Sequence, residues 1–377
     1  MTNRQSAPTR RGTQVAVLVA ASLILIATGC TSSAAETEPR ANSAAPTVEE
    51  RSEPTATALA LGPTITPEPT VTPEPTMTPE PSATTSPTPE PSVTAVRALP
   101  NVNAIGDLVP ASPGTHITAR PDAGFLADDG ARIVPVFDVP EGLPRALVDV
   151  NNIDGVELTY PLRNPTVFRQ PLVLRVIAGT PADEWLLVQA PVRPHRQYVW
   201  VRAADFTFGQ SSLRIEVDLG QGGLVTLFDR DQALISNQIV FGRESRPTVL
   251  HDTYVDQAFE GATLSPAYGT YILTLASYSE ALGTFGGGLP GQSLHGTNQP
   301  ELMGERVSSG GIRVPDQVVD FIYAQPGILG ASVIIYDSTG AGRDAAIARE
   351  RNKPWTRATT VELDPADLPK APITSYS

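Results

Sequence analysis

The chain has 377 residues and carries 27 basic side chains (Lys and Arg) against 40 acidic ones (Asp and Glu), which gives a formal net charge of −13 at pH 7. The length allows two domains plus extensions, and the acidic balance disfavours a nucleic-acid partner, which would need a basic surface. The single cysteine excludes an intramolecular disulfide framework and any zinc or iron–sulfur site built from several cysteines. The 37 prolines far exceed the usual share of about 5% and indicate a low-complexity segment.

The first thirty residues have the pattern of an export signal. Three arginines precede an apolar stretch at residues 15–27, which is shorter than the roughly 20 residues that a bilayer-spanning helix needs. The stretch ends in Ala-Thr-Gly before Cys30, and small residues before a cysteine resemble a lipobox, at which the cysteine is lipidated. We therefore predict a lipoprotein signal peptide over residues 1–29 and a lipid anchor on Cys30, at the outer face of the cytoplasmic membrane in the cell envelope. The alternative is a plain secretory signal in which Cys30 is incidental.

Residues 30–100 are predicted to form a lipid-anchored, disordered stalk. Ala, Ser, Thr, Pro and Glu dominate this segment, and the tetrapeptide Thr-Pro-Glu-Pro recurs within it. Proline fixes φ and removes amide donors, and little apolar surface is available for burial, so the segment cannot build a core. We expect an extended spacer with polyproline II character.

From residue 101 onward the sequence becomes globular and β-rich. Short runs of Val, Ile and Leu are bounded by Gly, Pro and Asp, which is typical of strands. The stretch EWLLVQAPVRPHRQYVWVRAADF (184–206) resembles the small SH3-like β module that often precedes the catalytic domain of cell-wall enzymes. We therefore predict an SH3-like β domain over residues 101–211. The strand spacing of Trp185 and Trp200 favours core positions over a ligand-binding platform.

The stretch GQSLHGTNQPELMGERVSSGGIRVPDQVVDFIY (291–323) resembles the L,D-transpeptidase (YkuD-like) catalytic domain. Members of that family carry His-Gly-Thr, then Asn-x-Pro, then a Ser-His-Gly-Cys-Ile-Arg element that opens a helix. The first two elements match residues 295–300 without a gap, and SSGGIR at 308–313 falls at the family spacing. The resemblance covers residues 212–337 and implies a mainly β fold, in which a transpeptidase-like β-sandwich with short helices follows the SH3-like domain.

Two positions depart from the family pattern, and both concern the chemistry. The resemblance places the family's nucleophilic cysteine at position 311, which is Gly311 here, and the family's preceding histidine at Ser309. In the family, the thiolate attacks a peptidoglycan stem peptide and then passes the acyl group to another stem, which forms a 3-3 cross-link. The resemblance makes His295 the retained base. Because glycine offers no nucleophile, we expect that this chain has lost the thiol reaction.

The remaining family positions are candidates for binding. The resemblance points to Gly296, Thr297, Gly310 and Arg313. Backbone amides near Gly310 could form an oxyanion hole, and Thr297 and Arg313 are expected to brace the cleft; the alternative for the Arg313 guanidinium is contact with a peptide carboxylate. The resemblance implies no cofactor, and we predict no metal site.

We expect a cell-surface lipoprotein that organises the cell wall by binding peptidoglycan stem peptides or a cell-wall synthesis protein, without transpeptidase activity. The alternative is an active L,D-transpeptidase or peptidase-like acyltransferase that forms 3-3 cross-links with Ser309 as its nucleophile. The offset of Ser309 from position 311 and the weaker nucleophilicity of a hydroxyl argue against that alternative. A third possibility is a spacer or scaffold with a vestigial cleft.

Three other features receive structural interpretations. His251 and Asp252 lack further ligands at metal-site spacing, so we interpret them as polar loop residues. The glycines at 286–288 are predicted to belong to a mobile remnant lid beside the cleft. Residues 338–377 are predicted to form a mostly poorly ordered C-terminal tail, with Trp355 packing back.

Overall fold

The computed structural model describes residues 108–127, 130–150, 153, 157–220, 222–285 and 289–363. The predicted signal peptide, Cys30 and the stalk lie outside the described residues, as do the glycines at 286–288 and the end of the predicted tail. All of the described residues belong to one compact unit. Within the described ranges, no helix is both long enough and apolar enough to cross a membrane.

The N-terminal part is built from short strands because runs of β-branched and aliphatic residues alternate with Gly, Pro and Asp turns. Its strands are β1 (Thr115–Ala119), β2 (Phe125–Leu126), β3 (Arg132–Val134), β4 (Arg145–Val150), β5 (Glu157–Tyr160), β6 (Leu162–Asn164), β7 (Val173–Ala178), β8 (Trp185–Gln189), β9 (Gln197–Arg202) and β10 (Phe206–Gln210). One sheet has the order β10-β1-β7-β8-β9, so the last strand of this part returns to pair with the first. A 3₁₀ turn at Ala203–Asp205 separates β9 from β10.

The second part contains the remaining elements. They are β11 (Leu213–Asp218), β12 (Leu224–Asp229), β13 (Gln232–Gln238), β14 (Phe241–Gly242), β15 (His251–Glu260), β16 (Tyr271–Tyr278), β17 (Gly291–His295), β18 (Arg306–Ser308), β19 (Ile312–Arg313), α1 (Asp316–Tyr323), β20 (Ser332–Tyr336), α2 (Arg343–Arg351), β21 (Thr356–Arg357) and β22 (Thr360–Glu362). An eight-stranded sheet has the order β13-β12-β11-β20-β15-β16-β17-β19. The β11–β20 and β17–β19 pairs are parallel, and the other neighbours are antiparallel. The predicted mainly β fold class is confirmed.

Helix α1 covers one face of this sheet. Val318, Val319 and Ile322 are buried in the same cluster as Leu273 and Leu294 of strands β16 and β17. Burying a side chain of this size contributes roughly 1.5–3 kcal/mol, so the helix is held mainly by packing. Because α1 follows β19 directly, this packing also fixes the chain segment that precedes the helix.

The two tryptophans of the stretch at 184–206 lie in the core, as expected. Trp200 is buried, and Trp185 is partly buried and packs edge-on against Phe137, with ring centroids 4.9 Å apart. Burial of this aromatic cluster stabilises the sheet and leaves no stacked platform for a ligand.

Residues 338–363, the described part of the predicted tail, contain helix α2 and strands β21 and β22, so the expectation of a mostly poorly ordered tail is wrong for these residues. Strand β21 pairs with β9, and β22 pairs with β4. Trp355 does pack back: its ring is 5% exposed and lies 4.3 Å below the guanidinium of Arg196. Strand hydrogen bonds and this buried aromatic ring hold the segment on the N-terminal part. The sequence did not predict this docking because the two strands are only two and three residues long.

The interpretation of His251 and Asp252 as polar loop residues is wrong. Both lie in strand β15 and are buried. The Asp252 carboxylate accepts from Nη1 of Arg175 at 2.7 Å and from Nη1 of Arg196 at 3.3 Å. Burial, followed by the nearby His195 charge, holds the pKa of His251 well below its usual range. Asp252 therefore joins the N-terminal part to the second part through buried ion pairs, which are costly to break one partner at a time.

Candidate functional site

Strand register brings three of the predicted site residues onto one face of the sheet. His295 ends β17 and pairs with Arg313 of β19. Paired residues on neighbouring strands point to the same side of a sheet, and so do residues two apart along an extended chain. Gly311, two residues before Arg313, therefore faces the same side as the His295 imidazole.

The His295 imidazole is buried and neutral at pH 7. Its ring is 6% exposed, and the Tyr268 ring packs against it edge-on at 4.8 Å. Burial lowers the pKa of His295 from 6.5 to about 4; the hydrogen bond to the Gly296 carbonyl opposes this shift and the Arg313 charge adds to it. Nδ1 lies 2.7 Å from that carbonyl oxygen. Since a carbonyl only accepts, Nδ1 carries the proton and Nε2 is left as a hydrogen-bond acceptor.

Gly311 leaves an open position beside Nε2 of His295. A Cβ atom added at Gly311 would lie 3.2 Å from Nε2 and 3.7 Å from the Ser293 carbonyl oxygen. Its φ lies outside the left-handed region, so the backbone at this position accepts any L residue after a shift of a few tenths of an ångström. The arrangement is therefore a base with room for a side chain in front of it.

The turn before Gly311 is fixed by its own hydrogen bonds. The Gly310 carbonyl accepts from Oγ1 of Thr248 at 3.0 Å and from Nε2 of Gln292 at 2.9 Å. The Ser308 hydroxyl accepts from the Gly310 amide at 3.1 Å and donates to the Gly311 carbonyl at 2.6 Å. Because the Gly310 amide is already bonded to this hydroxyl, it does not serve as the oxyanion donor suggested by the sequence. Gly310 itself has φ +112°, which requires glycine.

Ser309 lies apart from the base. Its side chain is exposed, and its hydroxyl accepts a hydrogen bond from Nη2 of Arg243 at 3.2 Å. Within the described ranges, neither Ser308 nor Ser309 forms a hydrogen bond with His295. Arg243 was not predicted as a site residue because it is 66 positions away in sequence and only the pairing of β14 with β18 brings it close.

The loop after His295 is braced by helix α1 and by Arg313. The Thr297 amide donates to Oδ1 of Asp316 at 3.1 Å, and a Cβ atom added at Gly296 would come within 2.2 Å of that oxygen. Gly296 is therefore required by the close approach of the Asp316 carboxylate. Nη1 of Arg313 donates to Oε1 of Gln299 at 3.3 Å, which ties the far end of the loop to β19. The sequence did not indicate that Asp316 and Gln299 take part, because Asp316 lies outside the matched motifs and Gln299 is the variable position of Asn-x-Pro.

In the part of the chain that the structure describes, no group of three or more His, Cys, Asp or Glu side chains is placed to hold a metal ion. The arrangement consists of a neutral imidazole acceptor at His295 and an open position beside it at Gly311, with the arginine side chains of Arg243 and Arg313 nearby.

No protein-family model matches the chain, and no curated protein matches its sequence. Among solved structures, the chain is similar to Bd1075 of Bdellovibrio bacteriovorus at 17% identity and a TM-score of 0.27, over 40% of this chain and 50% of that one. It is similar to the catalytic domain of an Enterococcus faecium L,D-transpeptidase at 21% identity and a TM-score of 0.24, over 34% of this chain and 98% of that one. It is also similar to L,D-transpeptidase 3 from Mycobacterium tuberculosis at 12% identity and a TM-score of 0.28, over 42% of this chain and 69% of that one. The chain thus spans only half of the Bdellovibrio protein, and its neighbours include L,D-transpeptidase catalytic domains matched over part of the chain.

Proposed function

We propose that the protein is a lipid-anchored cell-surface protein with an L,D-transpeptidase-like domain. In this proposal it acts in peptidoglycan organisation by binding stem peptides or a cell-wall synthesis protein, and it lacks the thiol-dependent transpeptidase reaction. Gly311 then occupies the family's nucleophile position, and Ser309 replaces the histidine that precedes it. The observation that carries the proposal is the 3.2 Å separation between a Cβ atom added at Gly311 and Nε2 of His295.

This geometry supports binding without covalent chemistry. Thiol acyl transfer needs a nucleophile within hydrogen-bond reach of a base. The base is present in His295, but glycine supplies no nucleophile beside it. The neutral Nε2 atom is instead free to accept a hydrogen bond from a peptide N–H.

The serine-nucleophile alternative has less support. A catalytic hydroxyl would need to approach the base to about 3 Å. The Ser309 hydroxyl is instead bonded to Arg243, and the Ser308 hydroxyl is bonded to the backbone at both 310 and 311. Neither hydroxyl is positioned to give its proton to His295.

The envelope location rests on sequence and composition. The apolar segment at 15–27 precedes Cys30, the only cysteine of the chain, and the Pro-rich segment that follows is suited to extend the domain from a membrane. The SH3-like nature of the first domain is part of the proposal. It is supported by the return of β10 to pair with β1 and by the 3₁₀ turn before β10.

The test uses the full-length protein in detergent with tetrapeptide stems. We expect saturable stem binding by calorimetry and no release of D-Ala by mass spectrometry. Gly311→Leu should abolish binding because its side chain fills the open position beside His295. Gly291→Leu is the matched control, since a Cβ atom added at Gly291 meets no atom within 4 Å.

Each competing hypothesis predicts a different result. Release of D-Ala that is lost in Ser309→Ala would establish the serine enzyme and overturn the proposal. Absence of stem binding by the unmodified protein would favour the vestigial cleft, and loss of binding in both leucine variants would show that the effect is not specific to the cleft.

A further inference from the structure

A cavity of about 600 Å³ opens where the end of helix α1 meets the hairpin of strands β15 and β16. Its walls include Glu260 at the end of β15 and Tyr271 at the start of β16. Asp320 and Tyr323, both in the last turn of α1, complete these walls. Ligand pockets typically measure about 300–1,000 Å³, so the cavity is large enough to admit a side chain of a partner molecule.

This cavity lies on the opposite face of the sheet from the His295 side chain. Ile272 of β16 pairs with His295 of β17, so these two side chains point to the same side. Tyr271 precedes Ile272 in an extended strand, and its side chain therefore points to the other side. Helix α1 packs on that other side, which also carries Leu273. The cavity is thus separate from the cleft beside Gly311.

Two stacked tyrosine rings form one wall of the cavity. The ring centroids of Tyr271 and Tyr323 lie 3.8 Å apart with an angle of 10° between the ring planes, and both residues are partly buried. Among the described residues, neither phenol hydroxyl has a hydrogen-bond partner. The face of an aromatic ring carries partial negative charge, so it attracts a cation and repels an anion. This wall therefore favours a positively charged organic group.

Two carboxylates flank the stacked rings. Glu260 pairs with Tyr271 in the β15–β16 register, so both side chains point to the same side of the sheet. Asp320 lies three residues before Tyr323 and shares its side of the helix. The Asp320 carboxylate accepts from the Thr270 hydroxyl. In the described part of the chain, the Glu260 carboxylate has no hydrogen-bond partner, and neither carboxylate lies within 4.0 Å of a basic nitrogen.

We infer that this cavity binds the side-chain ammonium group of a lysine in a partner polypeptide, at a site distinct from the proposed stem-binding cleft. An ammonium group over a tyrosine ring gains a cation–π interaction, and the two carboxylates add charge attraction. Aromatic carbon offers no ligand to a hard metal ion, which takes oxygen ligands. The rim residues Glu260 and Thr270 are exposed. A lysine side chain can therefore enter the cavity while its own backbone stays outside.

The test titrates the full-length protein in detergent with two capped peptides and measures binding by calorimetry. Both peptides have the sequence Ala-Ala-Lys-Ala-Ala with an acetylated N-terminus and an amidated C-terminus. In one of them the lysine amine is acetylated, so the two peptides differ by a single charge. We expect the ammonium form to bind at least about 10-fold more tightly than the acetylated form. Glu260→Gln and Asp320→Asn should each reduce this ratio about threefold.

A pair of substitutions at Tyr323 separates the ring from the hydroxyl. Tyr323→Phe keeps the ring and should bind the ammonium peptide as the unmodified protein does, whereas Tyr323→Leu should weaken its binding about fivefold. Asp231→Asn is the matched control for charge, because it removes an exposed carboxylate on the turn between β12 and β13. This control should leave the ratio between the two peptides unchanged.

Three outcomes would overturn the inference. Equal affinity for the two peptides, or binding of neither, would do so and would leave the proposed function intact, because stem binding is measured separately. An unchanged ratio in both Glu260→Gln and Asp320→Asn would show that the carboxylates do not hold the ammonium group. Loss of ammonium-peptide binding in Gly311→Leu would place the peptide in the cleft on the opposite face of the sheet.

Discussion

Placing a thiol at position 311 tests whether His295 acts as the structure indicates. In a Gly311→Cys variant the new side chain stands beside Nε2 of His295, since its Cβ atom lies 3.2 Å from that nitrogen. The pKa of His295 falls from 6.5 to about 4 because the ring is buried. At 1.36 kcal/mol for each pKa unit, protonating this imidazole costs about 3 kcal/mol more than protonating one in water.

The balance between the neutral pair and the ion pair follows from that cost. A thiol with an ordinary pKa of about 8.5 beside a base of pKa about 4 forms a thiolate–imidazolium pair at a cost of roughly 6 kcal/mol. Attraction between the two charges about 4 Å apart returns about 4 kcal/mol at an effective dielectric constant of about 20. Because a cost of about 2 kcal/mol remains, only a few per cent of the molecules hold the thiolate–imidazolium ion pair at equilibrium. The thiol should therefore titrate above pH 7, unlike thiols paired with an accessible imidazole.

The assay is the rate of alkylation by iodoacetamide as a function of pH, in a Cys30→Ser background so that only one thiol reacts. Gly291→Cys supplies, as a reference, an exposed thiol on strand β17, which also carries His295. An apparent pKa below 6 for the Gly311→Cys thiol would refute the neutral, buried state of His295. Complete resistance to alkylation would refute the open position beside it.

Two further predictions concern stability. Burial raises the pKa of Asp256 from 3.8 to about 6, against the hydrogen bond from Thr274. The folded state therefore binds this proton more tightly than the unfolded state does. The protonated carboxyl contributes fully to the free energy of unfolding below pH 3.8, and this contribution is lost as the pH rises through about 6. In urea titrations, Asp256→Asn should raise the free energy of unfolding by up to about 3 kcal/mol at pH 7.5 and leave it unchanged at pH 3.5. Asp231→Asn is the control: its carboxylate is exposed, so the free energy of unfolding should not change at either pH. Asp149→Ala removes the carboxylate that receives the buried Arg193 guanidinium at 2.6 Å and should cost about 3–5 kcal/mol; a loss below about 1 kcal/mol would contradict the pairing.

The site motif could be predicted from sequence because its residues are local to two short segments. His295 and Arg313 meet through a parallel strand pair, and Gly311 follows from its two-residue offset. When a known family has the same spacing along the chain, that spacing is enough to predict that these residues lie close together. The glycine at 296 is likewise explained by a contact with Asp316, only twenty positions away.

The parts that sequence did not predict depend on long-range contacts. The prediction that Asp252 is a polar loop residue is wrong because its arginine partners are 77 and 56 positions away in sequence. Trp355 is held by a cluster of N-terminal strands, and the short β21 and β22 have no periodicity from which to infer a strand. The structural roles of these residues depend on contacts that form only when the folded chain brings distant groups together.

Arg243 bears on one of the two departures that the proposed function assigns to this domain, the serine at position 309. A histidine in place of Ser309 would stand within hydrogen-bond reach of the Arg243 guanidinium, which is 3.2 Å from the serine hydroxyl. A guanidinium at that distance disfavours the protonated imidazole, whereas a neutral hydroxyl accepts its hydrogen bond without penalty. Ser309 therefore fits beside Arg243 without the charge repulsion that a protonated histidine would meet there. In the proposed function, the replaced histidine and the missing thiol therefore belong to the same change, which is the loss of thiol acyl transfer.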